Sequence, residues 1–144
     1  MFKRTRRTRN NAVIRDMISD VSLTMNDFLY PIFIEEGNNI KKEIKAMPNQ
    51  FRFSIDKLKE ELDEIVELGI RGILLFGIPK NKDEIGSSSF DENGIIQNAV
   101  KYIKSNFPNL LVVTDVCMCE YTSHGHCGVL CDHDVDNDKT LELL

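Results

Sequence analysis

Two short apolar runs, each preceded by a segment of helical periodicity, constrain this chain's fold more than any other feature. In Arg71-Gly-Ile-Leu-Leu-Phe-Gly and Leu110-Leu-Val-Val-Thr-Asp-Val-Cys, apolar side chains occupy both alternating positions. That is the pattern of strands buried on both faces of a parallel sheet. Ahead of the first run, Ile55, Leu58, Leu62, Ile65, Val66 and Leu68 recur at three- and four-residue spacing, which places them on one helix face. Ser54 suits the N-cap of that helix, Asp56 its positive end, and Gly69 its C′ position. Ahead of the second run, a polar loop over 80–93 leads to a helix over 94–106 that buries Ile95, Ile96, Ala99, Val100 and Ile103. An earlier strand is expected in Leu29-Tyr-Pro-Ile-Phe-Ile, where Pro31 argues for a strand start and against a central place in a sheet. A short helix is expected over roughly 11–21, and another begins at Asn137-Asp-Lys-Thr-Leu. Strand, helix, strand, helix, strand in that order implies an α/β fold with parallel pairing.

The chain has 144 residues, enough for one domain with a real core. Three or four strands do not close an eight-stranded barrel, which takes about 250 residues. The front part of a longer protein is therefore expected. The longest apolar runs fall far short of the ~20 residues that cross a bilayer, and no apolar stretch follows the basic N-terminus, which predicts a cytoplasmic protein without a membrane partner. Residues 1–15 hold Lys3, Arg4, Arg6, Arg7, Arg9 and Arg15 with no acid, so a chain of net charge −5 joins a +6 arm to a −11 body. Such an arm fits either nucleic acid or an acidic neighbouring subunit. The arm has no interleaved aromatic beyond Phe2 and no recognised binding motif follows it, which argues against nucleic acid.

All four cysteines fall between 117 and 131, a clustering that suits metal ligands or reactive thiols better than a disulfide framework. Cys117 and Cys119 stand at the end of an expected strand and would face the same side if strand geometry persisted. Cys127 returns after seven intervening residues, with Ser123 and Gly125 small enough for a tight reversal. Three thiolates at one point suit a borderline-soft cation such as Zn²⁺, and a fourth position left to water would make the site chemical rather than structural. A buried thiol cluster without metal and a redox pair are the competing readings. Cys131, His124, His126 and His133 are further candidate ligands, with His126 preferred as a group that orients a ligand. Asp115, two residues before Cys117, is placed to exchange a proton or hold a substrate amine. The alternating Asp132, Asp134, Asp136 and Asp138 fail the EF-hand pattern, because the glycine position is Asn137 and the closing glutamate position is Leu143. They read as a solvated acidic turn.

The stretch Asp115-Val-Cys-Met-Cys-Glu-Tyr-Thr-Ser-His-Gly-His-Cys-Gly resembles the zinc loop of the porphobilinogen synthase (5-aminolevulinate dehydratase) family. Arg6-Arg-Thr-Arg-Asn-Asn, Tyr30-Pro-Ile-Phe, Lys42-Glu-Ile with Met47-Pro, Leu75-Phe-Gly-Ile-Pro, Lys82-Asp-Glu-Ile-Gly-Ser and Val135-Asp-Asn-Asp agree in the same order. The resemblance implies a (β/α)8 TIM barrel, of which residues 1–40 would be the subunit-embracing arm with its leading strand and residues 41–144 the first part. It implies homo-octamers, a zinc held by Cys117, Cys119 and Cys127, a substrate pocket lined by Asp115, and Phe76 as an apolar wall of the second substrate site. The implied reaction condenses two molecules of 5-aminolevulinate to porphobilinogen with loss of two waters. The family's two Schiff-base lysines and its Mg²⁺ contacts belong to later strands, so these residues alone are expected to be inactive. On that reading the chain would serve instead as a non-catalytic zinc-binding or assembly fragment.

Overall fold

The structure is a computed structural model that describes residues 5–144. Lys3, Arg4 and Phe2 of the basic arm lie outside the described residues. Arg7–Arg9 form a 3-10 turn, and α1 (Ala12–Met17) follows with Asn11 as N-cap, its side chain accepting the Ile14 N–H at 2.9 Å. A second 3-10 turn, Met25–Asp27, carries a capping box between Thr24 and Asp27 and delivers the chain to β1 (Leu29–Glu35). β2 (Lys41–Glu43), β3 (Phe51–Phe53), α2 (Leu58–Glu67), β4 (Gly72–Ile78), α3 (Ile95–Asn106) and β5 (Leu111–Thr114) come next. The hairpin of β6 (Leu130–Cys131) and β7 (Asp134–Val135) then leads into α4 (Asn137–Leu141).

β1 to β5 form one sheet in the order β2-β3-β1-β4-β5, parallel throughout except for the antiparallel β2 at its edge. β1 is thus central, contrary to the expectation from Pro31. β3 first pairs with β1 at Phe33, two residues beyond Pro31, so the proline interrupts no ladder on that side. Tyr30, Ile32 and Ile34 of β1 align with Ile73, Leu75 and Gly77 of β4, placing these residues on one face. That face is the core: Ile32, Ile34, Phe53, Ile73 and Leu75 pack with Leu58, Leu62 and Ile65 of α2 and with Ala99 and Ile103 of α3. Both helices cover the same face, as they do along an arc of a barrel, whereas a doubly wound sheet places helices on both.

The helix signals need two corrections. Ser54 makes no side-chain cap bond; a 3-10 turn, Ile55–Lys57, intervenes before α2, and the buried Ser54 Oγ accepts the Ile40 N–H at 2.8 Å instead. Asp56 accepts the Asn39 N–H. Val66 and Leu68, expected in the core, are exposed because they fall off the stripe set by Leu58, Leu62 and Ile65. Gly69 has the expected left-handed φ of +82°. The acidic turn is a two-residue hairpin with Asp132 and His133 at φ +48° and +77°. No described helix is long and apolar enough to cross a membrane.

Candidate metal centre

β5 ends at Thr114, so strand alternation does not aim the cysteines. A turn gathers them instead. The N–H groups of Tyr121 and Thr122 both donate to the Met118 carbonyl at 2.9 Å, which reverses the chain just after Cys117. Met118 and Thr122 are buried, and the Thr122 hydroxyl donates to the His126 carbonyl at 2.8 Å, closing the return loop through Gly125 at φ +75°. As a result Cys117 Sγ lies 3.0 Å from Cys119 Sγ and 3.3 Å from Cys127 Sγ, and all three sulfurs are within 4.8 Å of one another.

The loop is fixed to the sheet from two sides. Tyr121 crosses β4 at Gly77, where an added Cβ would strike the Tyr121 hydroxyl and approach Ile96 Cγ1 at 2.8 Å. From the 80–93 loop, the Asp83 carbonyl accepts the Ser123 N–H at 2.8 Å, and the Asp83 carboxylate accepts the N–H groups of Ile85 and Ser87 and the Ser87 hydroxyl. His124 bonds through Nε2 to the Glu84 carbonyl at 3.0 Å, while its Nδ1 accepts the His126 N–H at 3.1 Å. These two bonds require the Nε2–H tautomer. Below the loop, Thr140 of α4 accepts the Val129 N–H and donates to the Asp136 carbonyl, tying the hairpin to the helix.

The electrostatics follow from crowding. Burial raises the pKa of Cys117, and the Cys117 contact followed by burial raises that of Cys119. Cys117 and Cys119 thus hold their protons more tightly than free thiols, because ionising both in so small a space is unfavourable. A divalent ion reverses that balance, and thiolate donors suit zinc. Tetrahedral zinc with Zn–S near 2.3 Å sets sulfurs about 3.8 Å apart. The sulfur separations here come within an ångström of that, so the residues fit the ion. Asp115 is exposed beside them, its carboxylate within 4.8 Å of Cys117 Sγ and of a Glu120 oxygen, and burial, then Glu120, raises its pKa.

Among the described residues, neither Cys131 nor any of the three histidines joins the sulfur group. Cys131 sits exposed in the β6–β7 hairpin, and His126, expected to orient a ligand, contributes backbone bonds. Phe76 does not line the cavity next to Cys117; it stacks on Phe33 at 5.3 Å on the sheet face opposite the helices. That cavity, about 230 Å³, is walled by Asp115, Cys117, Tyr121, Ile96 and Phe90. A larger hollow of about 630 Å³ lies at the other end of the sheet, around Arg71 and Phe107, far from these sulfurs in the fold. Two neighbours escaped the sequence reading, Glu120 and Asp83. The signal for Glu120 was its adjacency to Cys119, and for Asp83 its four-residue spacing to Ser87.

The sequence model of delta-aminolevulinic acid dehydratase matches residues 2–144. The chain belongs to the delta-aminolevulinic acid dehydratase family. Dehydratases of that name from Halalkalibacterium halodurans and Staphylococcus epidermidis are 46% and 48% identical to it, each over 99% of the chain. The chain spans 44% and 45% of those two proteins, and 70% of a 46% identical dehydratase from Ruminiclostridium josui. The Toxoplasma gondii dehydratase (porphobilinogen synthase), solved with its reaction product porphobilinogen, superposes with a TM-score of 0.92 at 28% identity, over 99% of this chain and 41% of that one. The sheet with helices on one face is therefore the first arc of the family's (β/α)8 barrel. As in barrels generally, the dehydratase cysteine loop lies at the C-terminal ends of the strands, where chemistry is placed.

Proposed function

We propose that this chain carries the zinc-binding end of a porphobilinogen synthase site, in a lyase that condenses two molecules of 5-aminolevulinate in tetrapyrrole and heme synthesis. The convergence of the Cys117, Cys119 and Cys127 sulfurs carries the reading, and family membership supports it. When bound there, zinc supplies Lewis-acid polarisation of a carbonyl or a bound water of lowered pKa. The chain's own residues do the rest of the work at this end. The three thiols give up their protons to hold the ion. Asp115, exposed at the rim, holds a substrate amine or exchanges a proton with it. Phe76 supplies an apolar wall on the inner face once further strands close the barrel.

In this reading residues 1–40, including the leading strand, are the arm that embraces a neighbouring subunit in a homo-octamer, and residues 41–144 are the barrel portion. Location is cytoplasmic, and any Mg²⁺ site lies outside these residues. The Schiff-base lysines implied by the resemblance also lie outside them. A polypeptide of these 144 residues alone therefore acts as a zinc-binding and assembly fragment without turnover.

Metal analysis of single variants tests the site. Zinc is expected at one per chain, lost in Cys117→Ser, Cys119→Ser or Cys127→Ser and kept in Cys131→Ser. Retention in any of the first three overturns the trithiolate reading. Porphobilinogen formed from 5-aminolevulinate by these 144 residues above a zinc-only control overturns the inactivity.

A further inference from the structure

Cys127 arrives on a different limb of the loop from the other two cysteines. Cys117 and Cys119 flank Met118, whose buried side chain and doubly bonded carbonyl anchor the turn, whereas Cys127 is exposed and follows Gly125 at φ +75°. Among the described residues, the backbone from His126 to Gly128 makes two hydrogen bonds, and both are at His126. Its carbonyl accepts the Thr122 hydroxyl at 2.8 Å, and its N–H donates to His124 Nδ1 at 3.1 Å. The chain is next held at Val129, whose N–H donates to the Thr140 hydroxyl. The third sulfur therefore hangs from a short span whose upstream end is pinned in part by an imidazole. That ring is itself fixed: its Nε2–H donates to the Glu84 carbonyl at 3.0 Å, 40 residues away in the chain. His124 is half-buried, and one neutral ring bonds the 80–93 loop with one nitrogen and the Cys127 limb with the other.

Resting on the trithiolate reading, we propose that His124 is a positioning residue: it holds no ion and touches no substrate, and it fixes where the Cys127 sulfur stands against the other two. His126, the sequence candidate for that task, is exposed and makes no side-chain hydrogen bond among the described residues; its backbone alone is engaged. A sulfur already in place favours binding, because the ordering of a free limb no longer opposes it. Without the acceptor at His124 Nδ1, the His126 N–H turns to solvent and the Cys127 limb swings on Gly125. Cys117 and Cys119 stay where the Met118 turn holds them, and zinc leaves faster.

Two conservative variants separate the ring's two bonds. Asparagine carries its side-chain oxygen to about the depth of Nδ1, so His124→Asn keeps an acceptor for the His126 N–H and loses the Glu84 bond. Glutamine reaches as far as Nε2, so His124→Gln keeps a donor for Glu84 and loses the acceptor. Competition titrations of the full chain with Zn²⁺ against a chromophoric chelator compare them. Zinc affinity is expected to fall about tenfold or more in His124→Gln, the scale of losing a supporting group at a metal site, and clearly less in His124→Asn. His126→Ala is expected to bind as wild type, and ring ¹⁵N NMR is expected to show His124 as the Nε2–H tautomer. Unchanged affinity in His124→Gln overturns the proposal. So does an equal fall in the Asn and Gln variants, which would mark His124 as general support for the loop, and so does an Nδ1–H tautomer. A fall in His126→Ala matching that of His124→Gln moves the task to the His126 ring and overturns it too. Cys117→Ser separates the two levels. If it loses zinc while His124→Gln keeps wild-type affinity, only the role of His124 fails; if it keeps zinc, the trithiolate site fails as well.

Discussion

Gly77 ends the buried side of β4 directly beneath Tyr121, and the hydrogen in place of a side chain lets the metal loop lie on the sheet. A methyl there meets the Tyr121 hydroxyl and Ile96 together, with Ile96 Cγ1 only 2.8 Å away. Gly77→Ala is expected to lower unfolding free energy by about 1–3 kcal/mol, the usual range for overpacking. Adding Tyr121→Phe should recover part of that loss, since it removes the nearest atom. Denaturant titration of both variants checks this, and wild-type stability in Gly77→Ala would show that the loop is not seated on β4. At this scale the sequence named the three cysteines correctly as a group that converges, through residue type and clustering. It misjudged the means. Strand alternation was expected to aim Cys117 and Cys119, yet β5 stops at Thr114 and the Met118–Thr122 turn does the aiming. Turn geometry of that kind depends on burying Met118 against distant residues such as Gly86, whose added Cβ would stand 3.4 Å from Met118 Cε, and no local spacing encodes it.

Between elements, the contact that matters most joins the 80–93 loop to the cysteine loop. Asp83 organises its own turn through Ser87 and Ile85 and passes its carbonyl to Ser123. The Ser87 hydroxyl, then the Ser87 N–H, hold the Asp83 carboxyl below its ordinary value of 3.8. A carboxyl with a depressed folded pKa stabilises fully above its unfolded pKa and loses that contribution as pH falls through the folded one. The latch is therefore expected to be indifferent to pH from neutrality down to about the ordinary aspartate value near 3.9, and to release only below it. NMR titration of the Ile85 and Ser87 amides should show midpoints below 3.8, absent in Asp83→Asn. A midpoint at or above that value would mean the bonds do not favour the carboxylate. Helix and strand positions were readable because 3.6-residue and apolar periodicities are local, as α2, α3 and β4 illustrate. The Asp83 latch was not, because its partner Ser123 stands 40 residues along the chain, and the four-residue spacing to Ser87 announces only the local turn. Pro31 misled for a related reason: whether its missing donor matters depends on where β3 begins.

Across the whole molecule, the two faces of the sheet are unequal. One is sealed by α2 and α3. The other carries Phe33, Leu74, Phe76 and Val113, which are only half buried, and has no covering layer among the described residues. Leu29 and Leu111 at its margin are 50% and 60% exposed, and β5 has no neighbour on its outer edge among the described residues. Parallel sheets are ordinarily covered on both faces, and a free edge is a template for further pairing. The arm adds Val13, Met17, Val21 and Leu23, all largely exposed. A polypeptide of these 144 residues is therefore expected to associate with itself in a concentration-dependent way and to bind a hydrophobic dye. Two attractions compete to explain such association, the apolar face and the +6 arm on the −11 body, and salt separates them. Charge pairing across solvent weakens as the screening length shortens to about 3 Å at 1 M salt, whereas apolar burial does not. Sedimentation is expected to give species heavier than 16.5 kDa that persist at high salt, because the exposed face is apolar and continuous with the edge. Dissociation at high salt would assign the association to the arm, and a dye-free monomer at every concentration would mean that the inner face is satisfied without the rest of the barrel.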